Sequence, residues 1–218
     1  MGGSVLSRLG PVGLRDLADA LQKLSSEHQL YVVVGGGGVA REYIEKARSL
    51  GGSEAFCDQI GICATRLNAM LLIAALGGRS NLEPPDSYPK ALDASARSRI
   101  VVLGGLSPGQ TTDAVAAILA EYVHAHRLIV ATSVDGVYSA DPEIDPTAKK
   151  YDSITTRELV RLSSETEMKA GSRSPVDPLA AKIIERSGIP TAVVYGGDIA
   201  NLKKGVEGGH TGTEVSAN

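Results

Sequence analysis

Five short segments carry the residues that could do chemistry, and three of them are suited to a phosphate. Ser107-Pro108-Gly109-Gln110 is a small, polar turn that runs into Thr111-Thr112-Asp113 ahead of an apolar stretch. A helix starting there offers unpaired backbone N–H groups, its positive end and two hydroxyls, which together attract an anion. Gly35 to Gly38 lets N–H groups approach a bulky anion without Cβ interference, and Arg41, one turn further on, can reach the same place. Gly2-Gly3-Ser4 is a second candidate cradle. Asp58 heads an apolar helical pattern, where a carboxylate can accept hydrogen bonds from ribose hydroxyls. Thr132-Ser133-Val134-Asp135-Gly136 leaves a short apolar run as a polar loop, the place where ligands gather in open α/β sheets. Each segment also has an ordinary structural reading. Thr-Thr-Asp caps helices, Asp-Gly makes turns, Asp58 can be an N-cap, and glycines let a strand pack on a helix. The glycine run fits neither the P-loop pattern nor a dinucleotide fingerprint, since no Lys-Ser or Lys-Thr follows it and no acidic residue ends a second strand at the usual distance.

The elements that must position these segments are legible from periodicity. Leu14, Leu17, Ala18, Leu21 and Leu24 form a helical stripe, and Leu30 to Val34 reads as a strand leading into the glycines. Val39, Tyr43, Ile44, Ala47 and Leu50 predict a helix that stops at Gly51-Gly52. A further helix is expected over 58–76, with Ile60, Ala64, Leu67, Leu71 and Ala74 inward, and 77–89 reads as loop. Ile100 to Leu103 and Leu128 to Ala131 are short strands, with Val115, Ile118, Leu119 and Tyr122 marking a helix between them. Thr155-x-x-Glu158 is a capping box, Asp177-Pro178 opens a helix closed by Gly188, and strands follow at 191–195 and 213–215. Strands alternating with helices imply a largely parallel α/β sheet.

With 218 residues, 43% hydrophobic and 22% charged, the chain can build a full core, and one domain with two lobes is expected. A net charge of -3 argues against nucleic acid or an anionic membrane as partner, so phosphate recognition must be local. Cys57 and Cys63 lack zinc-site spacing and are expected as buried thiols in a reducing compartment; the four histidines are scattered, and no metal site is expected. No unbroken apolar run approaches the roughly 20 residues a bilayer demands, and the start lacks a signal peptide's apolar region, so a cytoplasmic protein is expected.

The chain resembles the amino acid kinase superfamily, and within it the archaeal type of uridylate (UMP) kinase. The resemblance rests on GGSVL at 2–6, VVVGGGGVAREYI at 32–44, FCDQIGICATRLNAMLLIAAL at 56–76, PGQTTDAVAAILAE at 108–121, ATSVDGVYSADP at 131–142 and VDPLAAKIIERSGI at 176–189. It implies a three-layer αβα sandwich with a central, mostly parallel sheet, as a single domain over 1–218. Residues 1–125 would form its UMP-binding part and 126–218 its ATP-binding part. It further implies transfer of the γ-phosphoryl of ATP to UMP, giving UDP and ADP in pyrimidine nucleotide biosynthesis, with Mg²⁺, in a homohexamer built as a trimer of dimers.

By position, the resemblance assigns Gly3, Ser4, Gly36 and Arg41 to the ATP phosphates, and Thr132, Tyr138 and Asp141 to the adenine end. Gly35, Asp58, Leu106, Ser107, Pro108, Gly109, Gln110, Thr111 and Thr112 fall on the UMP side. Arg41 and Asp177 are the implied catalytic residues, Asp177 organising other groups, and capping explains Asp177 equally well. Lys169, Arg173 and Lys182 are further candidate cations. Two alternatives stay open: an aspartate, acetylglutamate or isopentenyl phosphate kinase of the same superfamily, and a non-catalytic nucleotide-binding relative. Relatives begin with a strand leading into the GGS loop, in some members carrying a lysine, whereas here Met1 directly precedes Gly2. Losing a buried strand would be costly, so a native start further upstream is expected.

Overall fold

The computed structural model describes residues 1–142, 144–167 and 176–217. The chain divides into two compact units, Met1–Val115 and Ala116–Asn218.

In the first unit, α1 (Gly3–Arg8) and α2 (Pro11–Leu24) precede β1 (Leu30–Val33), followed by α3 (Gly37–Ser49), α4 (Glu54–Leu76), α5 (Tyr88–Ser95) and β2 (Ile100–Leu103). Proline at the first position starts α2, and its stripe of Leu17, Ala18, Leu21 and Leu24 is buried at the expected interval. β1 and β2 pair in parallel from Leu30 against Ile100 to Val33 against Leu103. All four residues of β2 are buried, which fits its unbroken apolar run. Val102 turns its backbone groups away from β1, and the Asn81 side chain takes both: Nδ2 donates to the Val102 carbonyl at 2.8 Å, and Oδ1 accepts from the Val102 N–H at 2.6 Å.

The central scaffold of this unit is α4, which packs against α2, α3 and β2. Its N-cap is Ser53, whose Oγ accepts from the Phe56 N–H at 3.3 Å, and Gly77 ends it in the left-handed conformation (φ 59°). The helix thus starts four residues before the expected position, and the capping alternative for Asp58 falls away. The expected inward face is also corrected. Cys57, Ala64, Thr65, Asn68, Ala69, Leu72 and Leu76 are buried, while Leu67 and Leu71 are 59% and 56% exposed and Phe56 and Met70 lie open beside them. Apolar residues on nearly every side of this helix concealed which stripe faces in, and the buried stripe itself carries Thr65 and Asn68. Cys57 is buried as expected; Cys63 is exposed, against expectation, because it lies on the outer face. By length and composition α4 could cross a bilayer, which the count of unbroken apolar residues did not register; here it is the core helix of the unit. The expected loop at 77–89 is loop as far as Ser87, after which α5 begins with Ser87 as its cap.

The second unit holds most of α6 (Thr112–Tyr122), then β3 (Leu128–Thr132), β4 (Ser153–Thr155), α7 (Thr156–Glu167), α8 (Pro178–Ser187), β5 (Thr191–Tyr195), α9 (Ile199–Glu207) and β6 (Thr213–Ser216). Its sheet runs β3-β5-β6-β4, with β3 parallel to β5, β4 parallel to β6, and one antiparallel junction, β5 with β6. Val130, Val193, Val215, Ile154, Leu159, Val176 and Ile184 form its core with the alanines of α8. Burying a side chain such as Leu159 or Ile184 contributes about 1.5–3 kcal/mol. The capping box forms as its spacing predicts: the Glu158 carboxylate accepts from Thr155 N–H at 2.8 Å, and Thr155 Oγ1 accepts from Glu158 N–H at 3.2 Å. Those bonds hold the Glu158 carboxyl below its ordinary range. Sequence periodicity missed α1, α5, α9 and β4, all short.

Candidate active site

Two glycine segments meet backbone to backbone in the first unit. Met1 lies along β1, its N–H₃⁺ donating to the Val33 carbonyl at 2.9 Å and its carbonyl accepting from Gly35 N–H at 3.0 Å. This brings Gly3 onto the turn after β1 so closely that a Cβ on Gly3 would stand 2.1 Å from Gly37 N and 2.5 Å from the Gly35 carbonyl. Gly37 has φ 63°, and a Cβ there would meet the Gly3 carbonyl at 2.6 Å. Gly2-Gly3-Ser4 is therefore the start of helix α1, with Gly2 as its N-cap. The N-cap of α3, Gly36, supplies no side-chain bond, and no acidic residue stands in the first turn. The first N–H groups of α3 consequently have no partner within their helix, the arrangement that receives an anion. Arg41 is exposed beside them, its Nη atoms 3.4 and 3.5 Å from Ser4 Oγ.

Asp58 lies in the second turn of α4, and its Oδ2 accepts from the Gly109 N–H at 2.8 Å. That bond joins α4 to the Ser107–Gln110 turn, where Gly109 takes φ 78° and Ser107 to Gly109 are exposed. Thr111 is the cap of α6, its Oγ1 accepting from Ala114 N–H at 3.0 Å, and Thr112 is the first helical residue. Tyr88, at the start of α5, donates its hydroxyl to Gln110 Oε1 at 3.2 Å. Burial pushes the Tyr88 phenol up to about 12, so it stays a donor. Sequence reading missed Tyr88, which lay where only a loop was expected. It also missed Thr65 and Asn68, whose signal was two polar residues three apart in an apolar helix.

The second unit carries the other candidates. Thr132 ends β3, and its carbonyl accepts from Gly196 N–H at 2.8 Å. Tyr138 bridges to Lys150 and donates its hydroxyl to Asp135 Oδ1 at 2.6 Å. Lys150 Nζ stands 3.4 Å from Asp135 Oδ2 and donates to the Thr211 carbonyl at 2.8 Å. Partial burial works against the Asp135 anion, yet the Tyr138 bond and the Lys150 charge together hold its carboxyl below the usual value. The loop is thus braced by Asp135, which the sequence showed only as part of a turn, and by Lys150, which sequence reading missed. Asp141 accepts at its carbonyl from Ile144 and Asp145 N–H groups. Asp177 caps α8, Oδ1 accepting from Leu179 and Ala180 N–H groups at 2.9 and 3.1 Å. Lys182 is exposed and pairs with Glu185 at 3.6 Å, whereas Lys169 and Arg173 lie outside the described residues.

Residues 1–195 match the amino acid kinase family. The uridylate kinase of Methanothrix thermoacetophila is 58% identical over 215 residues, covering 99% of this chain and 96% of its own. The crystal structure of uridylate kinase from Archaeoglobus fulgidus superposes with a TM-score of 0.89 at 47% identity, covering 99% of this chain and 97% of that one. The UMP kinase structure from Ureaplasma parvum gives 0.79 at 25% identity, covering 99% and 95%.

Proposed function

The chain belongs to the amino acid kinase family, and from that membership we propose that it transfers the γ-phosphoryl group of ATP to UMP, giving UDP and ADP for pyrimidine nucleotide synthesis. The observation that carries the reading is identity of 50–58% to uridylate kinases of Archaeoglobus and Methanothrix over nearly the whole chain. Helix α4, with Asp58 reaching the Gly109 turn, supports it.

The chemistry suits the residues present. Phosphoryl transfer needs positioning and charge neutralisation more than a protein nucleophile, and a UMP phosphate oxygen near neutral pH attacks without a general base. In this reading the N–H groups at the start of α3 and the Arg41 guanidinium neutralise the ATP phosphates, with Gly3, Ser4 and Gly36 shaping that cradle. Thr132, Tyr138 and Asp141 take the adenine end. Gly35 and the stretch from Leu106 to Thr112 receive UMP, and Asp58 accepts from its ribose. Asp177 organises the start of α8. Mg²⁺ would be held chiefly by nucleotide phosphate oxygens and water, which it prefers to a dedicated protein cage. Bound there, the ion would neutralise charge on the β- and γ-phosphates. We assign the chain to a cytoplasmic homohexamer, a trimer of dimers, and the exposed apolar stripe of Phe56, Leu67, Met70 and Leu71 on α4 supports burial against a second copy.

A coupled ADP-release assay with UMP, CMP, aspartate, acetylglutamate and isopentenyl phosphate tests the reading. Turnover with UMP above all others is expected. Preference for any other acceptor, or nucleotide binding without turnover, overturns it.

A further inference from the structure

Two buried polar side chains tie α4 to the turns that leave the strands of the first unit. Thr65 and Asn68 stand three residues apart on its inner face, 6% and 8% exposed, among alanines and leucines. Polar groups so placed are costly unless hydrogen-bonded, and each bonds to a glycine turn at the end of a strand. Asn68 Nδ2 donates to the Gly35 carbonyl at 2.8 Å and to the Gly36 carbonyl at 3.2 Å. Thr65 Oγ1 donates to the Ile62 carbonyl at 2.6 Å, which spends its only proton, and accepts from Gly105 N–H at 2.7 Å.

In a trans peptide the N–H points opposite to the carbonyl. Fixing the carbonyls of Gly35 and Gly36 toward α4 therefore directs the N–H groups of Gly36 and Gly37 away from it. Glycine peptides are the ones most free to turn over, and a turned peptide here would aim a carbonyl oxygen, rather than an N–H, at an incoming phosphate. The Thr65 bond fixes the peptide before Gly105 in the opposite sense, its N–H toward α4 and the Gly104 carbonyl away from it, and so anchors the place where the chain leaves β2 for the 106–112 turn.

We propose that Thr65 and Asn68 are positioning residues, a clamp by which α4 fixes both strand-end glycine turns: Asn68 keeps the Gly36 and Gly37 N–H groups facing outward, and Thr65 anchors the start of the 106–112 turn. The clamp rests on the reading of these turns as nucleotide sites. Its test compares Thr65→Val, which keeps the shape and loses the hydroxyl, with Thr65→Ser, which keeps the hydroxyl. Thr65→Val is expected to raise KM for UMP about ten-fold, the loss of roughly one hydrogen bond, with KM for ATP within about two-fold. Thr65→Ser is expected to restore the wild-type value. Asn68→Ala is expected to lower kcat/KM for ATP by at least the same factor. Amide exchange by NMR reads the bond itself, whatever acceptor the wild type uses: Gly105 loses protection in Thr65→Val and keeps it in Thr65→Ser. Wild type that ignores UMP overturns the substrate reading, while the exchange pattern still decides the clamp. Unchanged Gly105 protection in Thr65→Val, or equal impairment of the Val and Ser variants, overturns the clamp.

Discussion

Gly3→Ala puts the backbone-on-backbone contact between α1 and the turn after β1 to a quantitative test. The added methyl would lie 2.1 Å from Gly37 N and 2.5 Å from the Gly35 carbonyl, where ordinary contact begins at 3.4 Å. Relief demands a displacement of about 1.3 Å, and both sides of the contact are main chain, so no side chain can swing aside. Undocking α1 is no cheaper, because Val5 and Leu6 are buried and each contributes about 1.5–3 kcal/mol. The cost should therefore sit near the top of the overpacking range, about 3 kcal/mol. In a chain of this length that lowers Tm by roughly 6–12 °C. A shift of about 1 Å in a phosphate cradle should also reduce kcat/KM for ATP by roughly a hundred-fold. Gly38→Ala is the control for stability: no atom lies within 4 Å of its added Cβ, and alanine is the better helix former, so Tm should hold or rise slightly. Calorimetric melting of the three proteins and ATP titrations at saturating UMP give both numbers. If Gly3→Ala melts within about 1 °C of wild type with unchanged kcat/KM, the steric reasoning is wrong.

Three further outcomes are expected. Asp58→Asn removes the charge that accepts from Gly109 and should raise KM for UMP about ten-fold while leaving KM for ATP nearly unchanged; equal effects on both would remove Asp58 from the ribose site. The Tyr88 phenol, pushed up to about 12 by burial against an unfolded value near 10, holds its proton more tightly in the folded state. Its contribution is complete below pH 10 and lost between about pH 10 and 12, so Tyr88→Phe should lose less stability than wild type across that window. Parallel urea midpoints for the two proteins would count against it. Leu67→Glu combined with Leu71→Glu, on the exposed stripe of α4, should yield smaller particles in sedimentation with little change in subunit melting, and an unchanged sedimenting mass would discard the α4 interface.

The long elements were legible in the residues because their apolar spacing repeats. The stripe of α2, the strands at 30–33 and 100–103, and the box of Thr155 and Glu158 all stand where spacing predicts. What failed did so for identifiable reasons. Helix α4 is apolar on nearly every side, so periodicity could not choose between the Leu67–Leu71 stripe and the Leu72–Leu76 stripe; tertiary contact chose the second. The elements α1, α5 and α9 have six to nine residues, too few to establish a period. Among the candidate site residues, the glycines could be read as a close approach, but the partner of that approach, Gly3 on Gly35 and Gly37, lies 32 or more positions away in the chain. No local pattern reports it. The bond from Asp58 to Gly109 is hidden for the same reason.

The Asn81 amide gives the two-stranded sheet of the first unit a boundary. A strand edge must have its N–H and carbonyl groups paired or covered, and in β2, whose residues are all buried, water cannot take that part. By satisfying both outward groups of Val102, a single side chain ends the ladder at that point, as a third strand would, without itself offering an edge to continue from. The satisfaction of both outward main-chain groups of Val102, a fully buried residue, thus depends on one side chain. Asn81→Ala would leave a donor and an acceptor buried without partners, a loss of about 1–3 kcal/mol for each that a urea melt would read as a lowered midpoint.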